Sequence, residues 1–237
     1  MRQPQAQTQT QTQTQTQTHE RVTGRIMMLD DDFFARDACE VAKDLIGKVL
    51  RRRVDALWLS ASIVETEAYY MRERASHASL GRTPSREALF APPGTIYMYY
   101  ARGGDSLNVS CLGEGDAVLI KAGVPHVDAK SGADALARMR ALNPGSGGAA
   151  RKDKRLCAGQ TLLARALGLR VPEWNGGHFD ERVFYVDDIG YRPREVVETT
   201  RLGIPTGRDE HLPYRFVDAS RARSATKNPL RVSGPRA

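Results

Sequence analysis

Apolar and polar positions alternate with different periods in successive stretches of this 237-residue chain. Asp30-Asp31-Asp32 leads into Phe33 and Phe34, and Val41, Leu45 and Ile46 follow at helical spacing until Gly47. This predicts one helix with acids at its positive N-terminal end. Residues 57–70 are rich in strand formers. Residues 95–100, 107–111 and 117–122 predict three short strands, the last two joined by the turn Gly113-Glu114-Gly115-Asp116, so the middle of the chain reads as an antiparallel meander. Between these strands and the first, residues 76–93 have no clean period and contain Gly81, Pro84, Pro92 and Pro93. They read as a long ordered loop with about one helical turn, and loops of that length inside a domain are commonly functional. Helices are predicted at 134–142 and 160–167, a Gly/Ser loop at 143–150, and strands at 183–186 and 196–200. The pattern gives an α+β single domain, a mostly antiparallel β-sheet with surrounding helices.

Residues 5–18 are an almost pure Gln/Thr alternation, with too little apolar surface to offset about 1–2 kcal/mol of backbone entropy per residue. Residues 1–25 are therefore expected to be a disordered tail and 26–237 the folded domain. Hydrophobic residues make up 41% of the chain, enough for a core. No apolar run approaches the roughly 20 residues of a membrane-spanning helix, and the N-terminus has no apolar signal segment, so a cytoplasmic protein is expected. Cys39, Cys111 and Cys157 form no CxxC pair, and Asp30 to Asp32 are explained by the helix start, so neither a metal nor any other cofactor is expected. The balance of 35 Lys+Arg against 28 Asp+Glu gives a formal charge of +7. Much of the surplus lies in Arg201, Arg208, Arg215, Arg221, Arg223, Lys227, Arg231 and Arg236, with a further cluster at Arg151, Lys152, Lys154 and Arg155. Such a chain favours polyanionic partners, nucleic acid first among them.

The sharpest candidate for chemistry is Val64-Glu65-Thr66-Glu67-Ala68-Tyr69. Strand periodicity puts Ile63, Glu65, Glu67 and Tyr69 on one face of an otherwise apolar element. Either these acids face a dry pocket, where a carboxylate can act as a general base or acid, or they simply face water from an edge strand. Tyr97, Tyr99 and Tyr100 put three phenols within four residues. They suit stacking on an unpaired or extruded base, and they also suit ordinary core pairing. His77, in the long loop, is either a base-contacting group or surface.

In chain order, Ile63-Val64-Glu65-Thr66-Glu67-Ala68-Tyr69, Ser76-His77-Ala78 with Gly81-Arg82-Thr83-Pro84, Pro93-Gly94-Thr95-Ile96-Tyr97-Met98-Tyr99, Leu107-Asn108-Val109 and Ala117-Val118-Leu119-Ile120 resemble the alkyladenine (3-methyladenine) DNA glycosylase family. The resemblance runs from Leu29 to about Phe216 and includes Arg201-Leu202-Gly203-Ile204 and Tyr214-Arg215-Phe216. It implies a domain whose protruding β-hairpin enters the minor groove while a pocket receives a flipped nucleotide. By that resemblance Glu67 is the general base that activates water for attack at C1′ and leaves an abasic site. Tyr69 is one wall of the base pocket, His77 and Tyr99 are the other, Asn108 excludes the exocyclic amine of guanine, and Leu119 and Lys121 lie on the strand supporting the opened nucleotide. The implied partner is double-stranded DNA carrying alkylated or deaminated purines, met by a monomer in the cytoplasm or, in a bacterium, at the nucleoid.

The chain departs from the family pattern in three places. The tyrosine that wedges into the emptied duplex gap has no counterpart between Tyr100 and Ser106, and Arg102, with Tyr100 as second choice, is expected to fill the gap. Lys121 stands where arginine is more usual. Gln160 and Leu162 replace a more common proline and lysine. Two other functions fit the residues: a catalytically silent nucleic-acid-binding module, and a hydrolase of free nucleosides.

Overall fold

A computed structural model describes residues 27–101, 103–226 and 230. The Gln/Thr stretch and Arg102, Lys227, Arg231 and Arg236 lie outside the described residues. The described residues form an eight-stranded sheet in which every pairing is antiparallel.

The N-terminal helix divides in two, α1 (Asp31–Phe34) and α2 (Ala38–Asp44). Asp37 causes the break. Its carboxylate accepts the backbone N–H groups of Cys39 and Glu40, which makes it an N-cap rather than a helix-interior residue. Strands β1 (Val49–Val54) and β2 (Leu57–Tyr69) follow, joined by a turn in which Asp55 has φ 54°. The 76–93 loop carries two short 3₁₀ turns, Ala78–Leu80 and Glu87–Phe90. The meander is β3 (Ile96–Ala101), β4 (Gly104–Ser110) and β5 (Ala117–Pro125). Helices α3 (Asp134–Leu142), α4 (Asp153–Leu156), α5 (Gln160–Ala166) and α6 (Val171–Trp174) precede the short strands β6 (Phe184–Asp187), β7 (Val196–Thr199) and β8 (Arg215–Asp218). The sheet runs β3-β4-β5-β2-β1-β6, with β8 also pairing β2 and β7 pairing β8.

β2 is thus a central strand and not an edge, and every residue from Leu59 to Ala68 is buried. Helices α2 and α3 pack on it, while α5 packs on β4 and β5. Halfway along, β2 changes partners. Its pairing with β1 ends at Ser62 opposite Val49, and β8 takes over at Glu65 to Glu67. The ladder to β5 slips at the same place, so that Val64 on β2 and Lys121 on β5 have no register partner. Irregularities of this kind bend a strand and re-aim side chains, and they are common beside active sites. At the far edge, the β3–β4 hairpin is held near its turn by α5. A Cβ added to Gly104 would lie 2.8 Å from Thr161 Cβ, and Arg165 Nη2 donates to the Gly103 carbonyl at 3.2 Å.

Candidate active site

The irregular stretch of β2 carries two fully buried carboxylates with different partners. Glu65 Oε1 accepts from Arg215 Nε at 2.6 Å, and its Oε2 accepts from the Thr226 backbone N–H at 2.7 Å. It pins β8 and the segment after it to the sheet. Glu67, 0% exposed, accepts from three donors: Tyr69 Oη at 2.7 Å and Lys121 Nζ at 3.2 Å on Oε2, and the Leu202 N–H at 3.0 Å on Oε1. A carboxylate has about four acceptor positions, so about one remains, on Oε1, for a water. Lys121, two residues beyond the Leu119 that faces Glu67 and without a register partner of its own on β2, reaches the carboxylate diagonally across the ladder.

Tyr69, Lys121 and Leu202, the three donors to Glu67, all line a cavity of about 790 Å³, which places the acid immediately behind the cavity floor. Burial, with the adjoining carboxylate, pushes the Tyr69 phenol well above its ordinary value, so it stays protonated and remains a donor to Glu67. His77 and Tyr99 line the same cavity, ring centroids 4.3 Å apart. His77 Nδ1 meets Tyr97 Oη at 3.0 Å. Burial, reinforced by Arg86 and Arg208, lowers the His77 pKa below 6.5, favouring a neutral imidazole near pH 7. Tyr97, which also borders the cavity, packs with Ala78, Leu89 and Ala117, and burial pushes its phenol up to about 12. Asn108, opposite Leu119 on the neighbouring strand, is fixed by an Nδ2 bond to the Tyr97 carbonyl at 3.1 Å; both side chains border the cavity.

Glu67, Tyr69, His77, Tyr99, Asn108, Leu119 and Lys121 therefore converge on one cavity. Tyr100 does not: it is 71% exposed near the hairpin turn. The phenol cluster divides into two residues that border the cavity, the buried Tyr97 and the half-buried Tyr99, and a surface group, Tyr100. The charge reading needs one correction. Arg201 and Arg215 are buried, neutralised by Glu73 and Glu65, partners so far away in the sequence that no local pattern signals them. Arg208 is exposed at the cavity rim. The sequence names Arg201-Leu202-Gly203-Ile204 only as part of the resemblance and assigns it no place in the site, yet the Leu202 N–H holds Glu67 and the residues after it border the cavity.

Comparison with known proteins places this geometry. The model of the methylpurine-DNA glycosylase family matches residues 32–222. The chain belongs to that family. It is 61% identical over 203 residues to a protein of Pseudomonas savastanoi pv. phaseolicola, covering 86% of this chain and 91% of that one. It is also 61% identical over 203 residues to a protein of Pseudomonas aeruginosa, covering 86% and 85%. A more distant relative in Carboxydothermus hydrogenoformans is 33% identical over 198 residues, covering 80% and 94%. All three bear the name "Putative 3-methyladenine DNA glycosylase". Of the three functions the residues allowed, family membership selects the DNA glycosylase, and with it a DNA substrate. No described helix is long and apolar enough to cross a membrane.

Proposed function

We propose that this glycosylase takes an alkylated or deaminated purine (3-methyladenine, 7-methylguanine, hypoxanthine or ethenoadenine) out of duplex DNA into the cavity between Tyr69 and the His77/Tyr99 wall. There it hydrolyses the N-glycosidic bond. The observation that carries the reading is the buried Glu67 carboxylate, bonded at 2.7 Å to the phenol that forms one wall of an aromatic cavity. In this scheme water occupies the remaining position on Glu67, gives it a proton, and adds to C1′ as the bond to the purine breaks and its electron pair leaves with the base. A purine alkylated at N3 or N7 carries a positive charge and departs neutral, so it needs no proton. The same charge is attracted to the electron-rich faces of Tyr69 and Tyr99. A neutral lesion lacks this attraction and is selected through its weaker pairing, which lowers the cost of unstacking.

In this scheme Asn108, whose side chain is held by the Tyr97 carbonyl, excludes the exocyclic amine of guanine, and Leu119 on the neighbouring strand supports the opened nucleotide. The hairpin tip supplies the wedge, through Arg102 or the exposed Tyr100. Lys121 serves the opened backbone, its ammonium moving between Glu67 and a phosphate oxygen. Incubating the protein with duplexes that each carry one such lesion, then cleaving abasic sites with alkali, tests the proposal. Strand breaks at the lesion are expected, and intact strands for every lesion would overturn it.

A further inference from the structure

Tyr69 has a second charged neighbour that the chemistry above does not use. Arg201 is fully buried and does not border the cavity, yet its guanidinium carbon lies over the Tyr69 ring, 4.5 Å from the centroid. It meets the ring from behind. Its Nη1 donates to the Ala68 carbonyl at 2.8 Å, and its Nη2 is 2.5 Å from Glu73 Oε2. Glu73 is equally enclosed, with its Oε1 accepting the Tyr70 N–H at 3.2 Å. One wall of the base pocket is therefore an aromatic ring with an ion pair sealed behind it.

We propose that the Arg201–Glu73 pair sets how the pocket divides its preference between positively charged and neutral lesions, Glu73 cancelling a cation that would otherwise oppose a charged purine through the Tyr69 ring. This rests on Tyr69 being the stacking wall. A base on the front face of Tyr69 would lie about 8 Å from the guanidinium, where two bare unit charges at an effective dielectric of about 20 repel by a factor of roughly 30 in binding. A guanidinium stays charged whatever its surroundings, so removing Glu73 exposes that repulsion rather than neutralising Arg201. A neutral lesion feels little of it. Burial raises the Glu73 pKa, Arg201 opposing the shift, so this carboxylate depends on its partner to stay ionised.

Arg201 also adjoins Leu202, whose N–H holds Glu67, so a substitution that disturbs the loop slows excision of every lesion. The readout is therefore a ratio: the single-turnover excision rate of 7-methylguanine over that of hypoxanthine, or the ratio of Kd values for the two duplexes where a lesion is bound and not cut. Glu73→Gln is expected to lower the ratio about 10-fold. Arg201→Met/Glu73→Met is expected to raise it about 3-fold above wild type, because the charge in contact with the ring is gone. Equal losses for both lesions in Glu73→Gln, or a ratio no higher than wild type in the double variant, would overturn the inference; if one variant fails to fold, the other decides. A wild-type protein that neither cuts nor binds either lesion would instead refute the proposed function.

Discussion

Replacing Glu67 with glutamine separates the catalytic reading of this acid from a structural one, because the structure dictates what each role would cost. The amide has the shape of the carboxylate but only one acceptor oxygen. Turned toward Tyr69 Oη and Lys121 Nζ, it presents its NH₂ to the Leu202 N–H, leaving that donor unsatisfied. A lost partner of that kind costs about 1–3 kcal/mol. For a chain of this size the melting temperature should fall by roughly 2–12 °C, with the fold retained. A positioned general base supplies about 10²- to 10⁴-fold in rate. Excision should therefore drop by at least about 100-fold, while affinity for lesion-bearing duplex stays near wild type. The assay is single-turnover excision with enzyme in excess, read by alkaline cleavage, beside a thermal melt and an anisotropy titration. A residual rate within tenfold of wild type in a folded, DNA-binding variant would remove Glu67 from the chemistry.

The other acid of the motif should behave in the opposite way. Arg215→Met leaves Glu65 buried without its counter-charge, a loss of about 3–5 kcal/mol that a melt would show, with excision per folded molecule largely kept. The depressed pKa of His77 predicts an acid limb. The imidazole is neutral above about 6.5 and gains a proton only as pH falls through its lower folded value, so stability and lesion stacking are both lost in that direction. As the pH falls below about 6.5, excision of 7-methylguanine should decline more steeply than that of hypoxanthine, since a protonated His77 repels only the charged base; parallel profiles would contradict this. At the hairpin, Arg102→Ala or Tyr100→Ala should weaken flipping, read as the fluorescence of a duplex ethenoadenine, and the variant with no effect is not the wedge. Lys121 is held against Glu67 as an ion pair, and an ammonium is not a nucleophile, so borohydride should trap no covalent adduct with an abasic duplex.

The parts of the fold carried by local pattern were legible. The meander and the helix at 134–142 follow from spacing and turn residues, and the structure places them within a few residues of the expected positions. β1 and β8 were not. β1 carries three consecutive arginines, and Arg51 is buried only because Asp128 and Asp187, from distant segments, neutralise it. β8 is four residues long and exists by pairing with β2 and β7. The break between α1 and α2 could have been read from Asp37 as an N-cap. In the site, Glu67 and Tyr69 share a face two residues apart, as the period requires, and their hydrogen bond follows from it. The loop 201–205 could not be found that way, since its contribution is a backbone N–H and any residue but proline supplies one.

The sheet's irregularity is what turns a sequence motif into a site. A regular β2–β5 ladder continued from Glu67 opposite Leu119 would put Lys121 opposite Glu65, between the two acids. Instead β2 changes partner from β1 to β8 and slips against β5 within four residues, between Ser62 and Thr66. Glu65 is spent on closing the gap, tying Arg215 and the Thr226 backbone to the strand. The closure it maintains carries Arg215 into register opposite Glu67 and keeps Thr226 at the cavity wall. Two acids two residues apart are thus both needed, one to seal the distorted sheet and one to use the dry space so formed. Exchanging their environments should be impossible: adding a buried cation beside Glu67 in an Arg215→Met background should not restore the melting temperature, because the seal must lie at Glu65.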